Sequence, residues 1–124
     1  MSPPEDYPRV SPYLLYADAE AAIEYLIASF GFEVRYTAIG AAGRKHNELV
    51  IEGDGLVMLG QAGESFAGQH SMVHVYVSDV VALHERARNA GAEVSELEDS
   101  PNGDRRFTAA DPEGQLWVFA QRFT

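Results

Sequence analysis

"AIEYLIASFGFEV" (residues 22–34) and, sixty residues later, "ALHERARNAGAEV" (82–94) decide how this chain folds. Ala22 and Ala82, Ile23 and Leu83, Ile27 and Ala87, Gly31 and Gly91, Glu33 and Glu93, and Val34 and Val94 fall in register. Apolar residues three and four apart build one side of a helix, and a glycine after them accepts the left-handed conformation that ends it. Glutamate and valine then open an extended segment. The chain therefore carries one supersecondary unit twice.

Working outward from the first copy, "RVSPYLLYA" (9–17) is an extended apolar run, and Asp18 is the N-cap of a helix over 19–30. That helix has an inner stripe of Ala22, Ile23, Leu26, Ile27 and Phe30, and Gly31 stops it. Strands follow at "FEVRYTAI" (32–39), "HNELVIE" (46–52) and "LVMLG" (56–60), the last two joined by a tight Gly53-Asp54-Gly55 hairpin. The second copy repeats the order: "MVHVYVS" (72–78), Asp79 as cap, a helix striped by Val80, Leu83, Ala87 and Ala90, Gly91, and "AEVSEL" (92–97). A polar loop (98–104), "RRFTAA" (105–110), the turn Asp111-Pro112-Glu113-Gly114 and "QLWVFAQRF" (115–123) complete it. Each half reads β-α-β-β-β, which places the chain in the α+β class. One domain spans residues 1–124, with module one at about 9–60, a linker or lid at 61–71 bearing Phe66, and module two at about 72–123. The proline-rich residues 1–9 form an arm ordered only by packing on something else.

Composition narrows the function. The chain is 46% hydrophobic, with six Tyr, six Phe and one Trp, and no apolar run approaches the ~18–20 residues of a membrane span. The start "MSPPEDYPRV" lacks the basic and apolar regions of a secretory signal, which predicts a cytoplasmic protein. Zero cysteines exclude disulfides, thiolate metal sites and cysteine nucleophiles. Nineteen acidic against nine basic residues, net −10, disfavour nucleic acid and anionic membranes as partners. No nucleophile motif, phosphate-binding glycine loop or zinc pattern occurs. His84, off the apolar stripe of its helix, reads as a solvated surface residue, and Asp111 and Glu113 read as turn-formers.

The stretches "YLLYADAEAAIEYLIASFGFE", "GDGLVMLG", "VSDVVALHERARNAGAEV" and "FTAADPEGQLWVFAQ" resemble the vicinal oxygen chelate superfamily, which includes glyoxalases, bleomycin-resistance proteins and extradiol dioxygenases. The resemblance covers nearly all of residues 9–122. It implies two tandem β-α-β-β-β modules whose U-shaped mixed sheets wall a concave cavity, with helices on the outer face and a partner subunit often completing the site. One module makes one wall, and two enclose a ligand.

The resemblance also implies four metal-ligand positions, which fall here on Ser11, Met58, Met72 and Val118. A hydroxyl, two thioethers and an isopropyl group do not hold a hard or borderline divalent ion, so no metal or other cofactor is expected. Carried through each strand, the same parity gives an inner face of Ser11, Tyr13, Leu15, Leu56, Met58, Met72, His74, Tyr76 and Val118, with Leu116 and Ala120. This wall either lines a pocket for a large planar or irregular guest or fills space as core. Trp117 and Phe119 fall on the opposite parity, beneath the helices, while Phe107 and Tyr36 are placed on neither face. An even-numbered hairpin loop puts His46 and Glu48 on the face opposite Met58, and a bulge would reverse this. The expected function is metal-free sequestration of a hydrophobic or aromatic small molecule, such as an antibiotic, by a homodimer without catalytic residues. The alternative is a metal-dependent lyase, isomerase or dioxygenase using an unorthodox set such as His46, Glu48 and His74.

Overall fold

The computed structural model describes residues 3–39, 43–63 and 70–123. Strand β1 (Tyr13–Tyr16), helix α1 (Ala19–Phe30) and strands β2 (Glu33–Ile39), β3 (Lys45–Ile51) and β4 (Gly55–Gln61) make the first unit. The second comprises β5 (Met72–Tyr76), α2 (Val80–Asn89), β6 (Glu93–Val94), β7 (Glu98–Asp99), β8 (Asp104–Ala110) and β9 (Leu116–Arg122). Each unit builds its own mixed sheet, in the orders β1-β4-β3-β2 and β5-β9-β8-β6, with β7 also paired to β8. In both, the first strand runs parallel to the last and the remaining pairs are antiparallel.

Both helices begin as the sequence predicts. Asp18 Oδ1 accepts the Ala21 N–H at 3.1 Å, and Asp79 Oδ1 accepts that of Ala82 at 3.0 Å. Gly31 closes α1 in the left-handed region at φ 75°. The repeat also preserves a feature the sequence reading missed: Gln61 and Gln121, sixty residues apart, accept the first helical N–H of their own units, at Ala19 and Val80. The extended run at 9–17 contributes only four ladder residues, because Pro12 has no N–H to donate. The strand expected at 92–97 shrinks to two residues, and the polar loop after it contains the two-residue β7. Phe66 and most of the 61–71 linker lie outside the described residues.

A single hydrophobic core serves both sheets. The first sheet supplies Leu14, Tyr16, Leu49, Ile51, Val57 and Leu59, and the second supplies Phe107, Ala109, Trp117 and Phe119. Phe30 of α1 sits 4.6 Å, ring to ring, from Phe119, and Phe32 meets Trp117 edge-on at 5.4 Å. Trp117 and Phe119 thus occupy the buried side that their parity predicts, and Phe107 joins them. His84 corrects the sequence reading. Far from being solvated, it is buried, with Nε2 2.8 Å from the Ser95 carbonyl and its ring edge-on to Phe107. An imidazole can be buried once a carbonyl takes its N–H.

Polar clasps hold the two units in one orientation. Tyr16, fully buried in the first sheet, donates to Asp111 Oδ2 of the second at 2.5 Å. The same carboxylate accepts from Trp117 Nε1 and from the backbone N–H groups of Glu113 and Gln115. Asp111 is therefore a turn-former, as its position before Pro112 implies, and also a buried cross-link. Glu113 accepts from the Ala17 and Asp18 N–H groups ahead of α1, while Glu52 accepts from the Ser78 N–H ahead of α2. Arg86 of α2 donates to the Ile27 and Ala28 carbonyls at the C-terminal end of α1.

Replacing Asp111 by alanine strands the Tyr16 hydroxyl, the Trp117 indole N–H and a turn amide in a buried site. The expected cost is about 3 kcal/mol or more, read as a drop of roughly 10 °C in Tm for a domain this size. Thermal unfolding by circular dichroism measures it, and a Tm within 2 °C of wild type on the same scale would contradict the cross-link.

Candidate functional site

Successive side chains of a strand point to opposite sides of its sheet, so each sheet that lines the core has a reverse face turned away from it. In the first sheet Tyr13 is opposite Met58 and Met58 is opposite Glu48, while Leu15, Gly60 and His46 are similarly aligned. In the second, Met72, His74 and Tyr76 of β5 align with Leu116, Val118 and Ala120 of β9. The inner-face residues read from the sequence therefore do share the reverse faces, with Ser11 half-buried just before β1. The chain leaves much of these faces open: Tyr13 is 47% exposed, Tyr36 51%, Tyr76 53% and Met72 64%. Val118, by contrast, is buried at the sheet centre.

His46 and Glu48 lie on the Met58 face, which overturns the parity expected for them. The hairpin turns over three residues, Glu52, Gly53 and Asp54, with Ile51 and Gly55 as the last pair. Glu52 and Gly53 both adopt positive φ, 51° and 85°. An odd loop shifts the register by one residue and exchanges the two faces of the strand. The signal was present in Leu49 and Ile51, whose apolar alternation fits the core face, but β4 is apolar on both faces and masks it.

The exchange creates a polar cluster. Glu48, almost wholly buried, accepts from the Tyr7 hydroxyl at 2.9 and 3.1 Å, from Arg35 at 3.2 Å and from His46 Nε2 at 2.9 Å. The other imidazole nitrogen, Nδ1, lies 2.9 Å from the Tyr13 hydroxyl. Arg35 also donates to the Asp6 carbonyl, and its guanidinium stacks 4.5 Å over the Tyr7 ring. This is what orders the N-terminal arm, and a cavity of about 530 Å³ lies beside it, lined by Tyr7, Arg35, Tyr36, Val50 and Leu56 among others. Burial pushes the Glu48 carboxyl up, but the hydrogen bonds from His46, Tyr7 and Arg35 outweigh it and hold the group below its ordinary value. Burial and the nearby Glu48 charge raise the Tyr13 phenol.

The second sheet has its own buried carboxylate. Asp104 pairs with Arg122 at 2.6 Å and accepts from the Tyr76 hydroxyl at 2.9 Å, and the Tyr76 ring lies edge-on to His74 at 4.9 Å. Sequence reading missed Asp104 and Arg122 because one fell in an expected loop and the other at a chain end.

Metal chemistry finds no donors at the four superfamily ligand positions, since Ser11, Met58, Met72 and Val118 offer no imidazole or carboxylate. His46 has both nitrogens engaged, and His74 stands on the other sheet. Among the described residues no three His, Asp or Glu side chains gather to hold an ion, and no helix is long and apolar enough to cross a membrane.

Because folding lowers the Glu48 pKa, its ionised form stabilises the fold fully above the ~4.3 of an unfolded glutamate, and that contribution is lost as pH falls through the lower folded value. The part of the stability gap between wild type and Glu48→Gln that comes from the Glu48 charge should therefore be present in full above about pH 5 and be lost toward pH 3. Urea unfolding across that range measures it, and a gap independent of pH would contradict the assignment.

Residues 14–119 match the glyoxalase-like domain family. An uncharacterised protein of Mycobacterium bovis is 35% identical, over 92% of this chain and 83% of its own length. TioX from Micromonospora sp. ML1 is 33% identical and superposes with a TM-score of 0.76, covering 94% of this chain and 98% of that one. TnmS3 from Streptomyces sp. CB03234, described as an antibiotic binding protein, shares the fold at a TM-score of 0.78 with 19% identity, over 92% and 96% of the two chains. The chain belongs to the glyoxalase-like domain family, within the vicinal oxygen chelate superfamily.

Proposed function

We propose that this chain is a single-domain, metal-free binding protein of the cytoplasm. In this reading it sequesters a hydrophobic or aromatic small molecule, such as an antibiotic, without altering it. The observation that carries the reading is the exposure of large apolar and aromatic groups, Tyr13, Tyr36, Met72 and Tyr76, on two sheet faces whose reverse sides are fully packed. A core would not leave them half in water. Tyrosine supplies a stacking face with a polar tip and methionine an adaptable one, which suits a large planar guest. The ligand wall comprises Ser11, Tyr13, Leu15, Leu56, Met58, Met72, His74, Tyr76 and Val118, extended by His46 and Tyr36. An antibiotic-binding protein of the same fold supports the class of guest.

Homodimerisation belongs to the same proposal. The two faces lie on the reverse of sheets that share a core, so one chain does not close a cavity over either of them, and a second copy supplies the missing wall. Sedimentation at micromolar concentration should give twice the chain mass. A monomer throughout the concentration range would overturn the shared cavity.

Aromatic polycyclic guests should quench tyrosine fluorescence saturably and be recovered chemically unchanged. Tyr76→Ala should weaken such binding roughly five- to thirty-fold through loss of about 1–2 kcal/mol of stacking. Tyr13→Ala should do the same. Equilibrium titration with the fluorescence of wild type and variants measures the effect, and recovery of an altered guest would move the chain to an enzyme of the glyoxalase type.

A further inference from the structure

The Tyr13, His46 and Glu48 side chains form a hydrogen-bonded chain whose polarity is set from its buried end. The Glu48 carboxylate has only lone pairs to offer, so the His46 Nε2 atom 2.9 Å away must carry a proton. In the neutral imidazole the other nitrogen, Nδ1, is then bare. The Tyr13 hydroxyl, 2.9 Å from Nδ1, is its donor. Having committed its one proton inward, the phenol oxygen presents lone pairs alone to the open face. Arg35 and Tyr7 keep Glu48 in place by bonding the same carboxylate, so the polarity does not depend on the guest.

Gly60 makes the chain possible. It lies opposite both Leu15 and His46, between the strand of Tyr13 and that of His46. A Cβ there would stand 3.0 Å from the Tyr13 ring and hydroxyl. A side chain there would crowd the ring that reaches across β4 to the imidazole and force it to shift.

We propose that Tyr13 is a dedicated hydrogen-bond acceptor that selects aromatic guests carrying an O–H or N–H donor, with His46 and Glu48 as its positioning residues. This rests on the open faces being a binding site, and it adds the chemical class the site accepts. A guest whose only polar atom is an ether or carbonyl oxygen would set lone pair against lone pair at Tyr13 and lose affinity by desolvation.

The test compares 1-pyrenemethanol, whose alcohol does not ionise, with its methyl ether by fluorescence anisotropy at pH 8.5, well above the ~6.5 of a free imidazole. Wild type should bind the hydroxyl compound roughly five- to ten-fold more tightly, the value of one neutral hydrogen bond, although the ether is the more hydrophobic. Tyr13→Phe should bring the ratio to about one or below. His46→Ala frees the phenol to turn outward and donate, and Gly60→Ala displaces the ring. Both should cut the ratio while the ether still binds. Long-range proton–nitrogen NMR reads His46 without any guest and should show the Nε2–H tautomer, losing its fixed polarity in Glu48→Gln. Binding of both probes with equal affinity, a ratio that survives Tyr13→Phe, or an Nδ1–H tautomer overturns the acceptor role alone. Failure of both probes to bind, with the Nε2–H tautomer in place, overturns the pocket reading on which it rests.

Discussion

Everything distinctive about this molecule depends on two sheets sharing one core. Each β-α-β-β-β unit has one helix and one sheet, and the two units turn the same side inward onto one core. Phe30 and Phe32 of the first unit interleave with Trp117 and Phe119 of the second, so neither half keeps a separate interior. A sheet has only two faces. Committing one of each to the shared core leaves the other pair turned outward, with Tyr13, Tyr36, Met72 and Tyr76 half in water.

A shared apolar core fixes that the units meet but not at what angle, and the polar clasps supply the angle. Asp111 collects the Tyr16 hydroxyl, the Trp117 indole and two turn amides, so both sheets are tied to one buried carboxylate. The hairpin glutamates then act reciprocally, Glu113 bracing the entry to α1 and Glu52 the entry to α2. The repeat is thus functional at the level of the interface. Each module's turn holds the other module's helix, a relation that a single unit cannot make with itself. Hydrogen bonds of this kind add modest net stability but strongly penalise any other docking.

On the open faces the same logic produces two further polar clusters. Glu48 and Asp104 are buried carboxylates, each ion-paired with an arginine and hydrogen-bonded by a tyrosine, and each sits beside a histidine or an aromatic ring that reaches the open surface. The positions at which the resemblance implies metal ligands carry a hydroxyl, two thioethers and an isopropyl group.

The duplicated helix-and-strand pattern by itself determined the fold, because helix stripes, Asp caps and glycine stops are local signals that each segment carries regardless of its neighbours. Parity along β1, β5 and β9 likewise placed Tyr13, His74 and Trp117 on their correct sides. The sequence misplaced His46 and Glu48, since one residue's difference in the 52–54 turn exchanges the faces of β3, and nothing local requires Glu52 to adopt positive φ. It also read His84 as solvated and Asp111 as only a turn-former. Their partners, Ser95 and Tyr16, lie 11 and 95 residues away. Local propensity is written in neighbouring residues, whereas the burial of a polar group is decided by whichever distant donor or acceptor the tertiary fold brings to it.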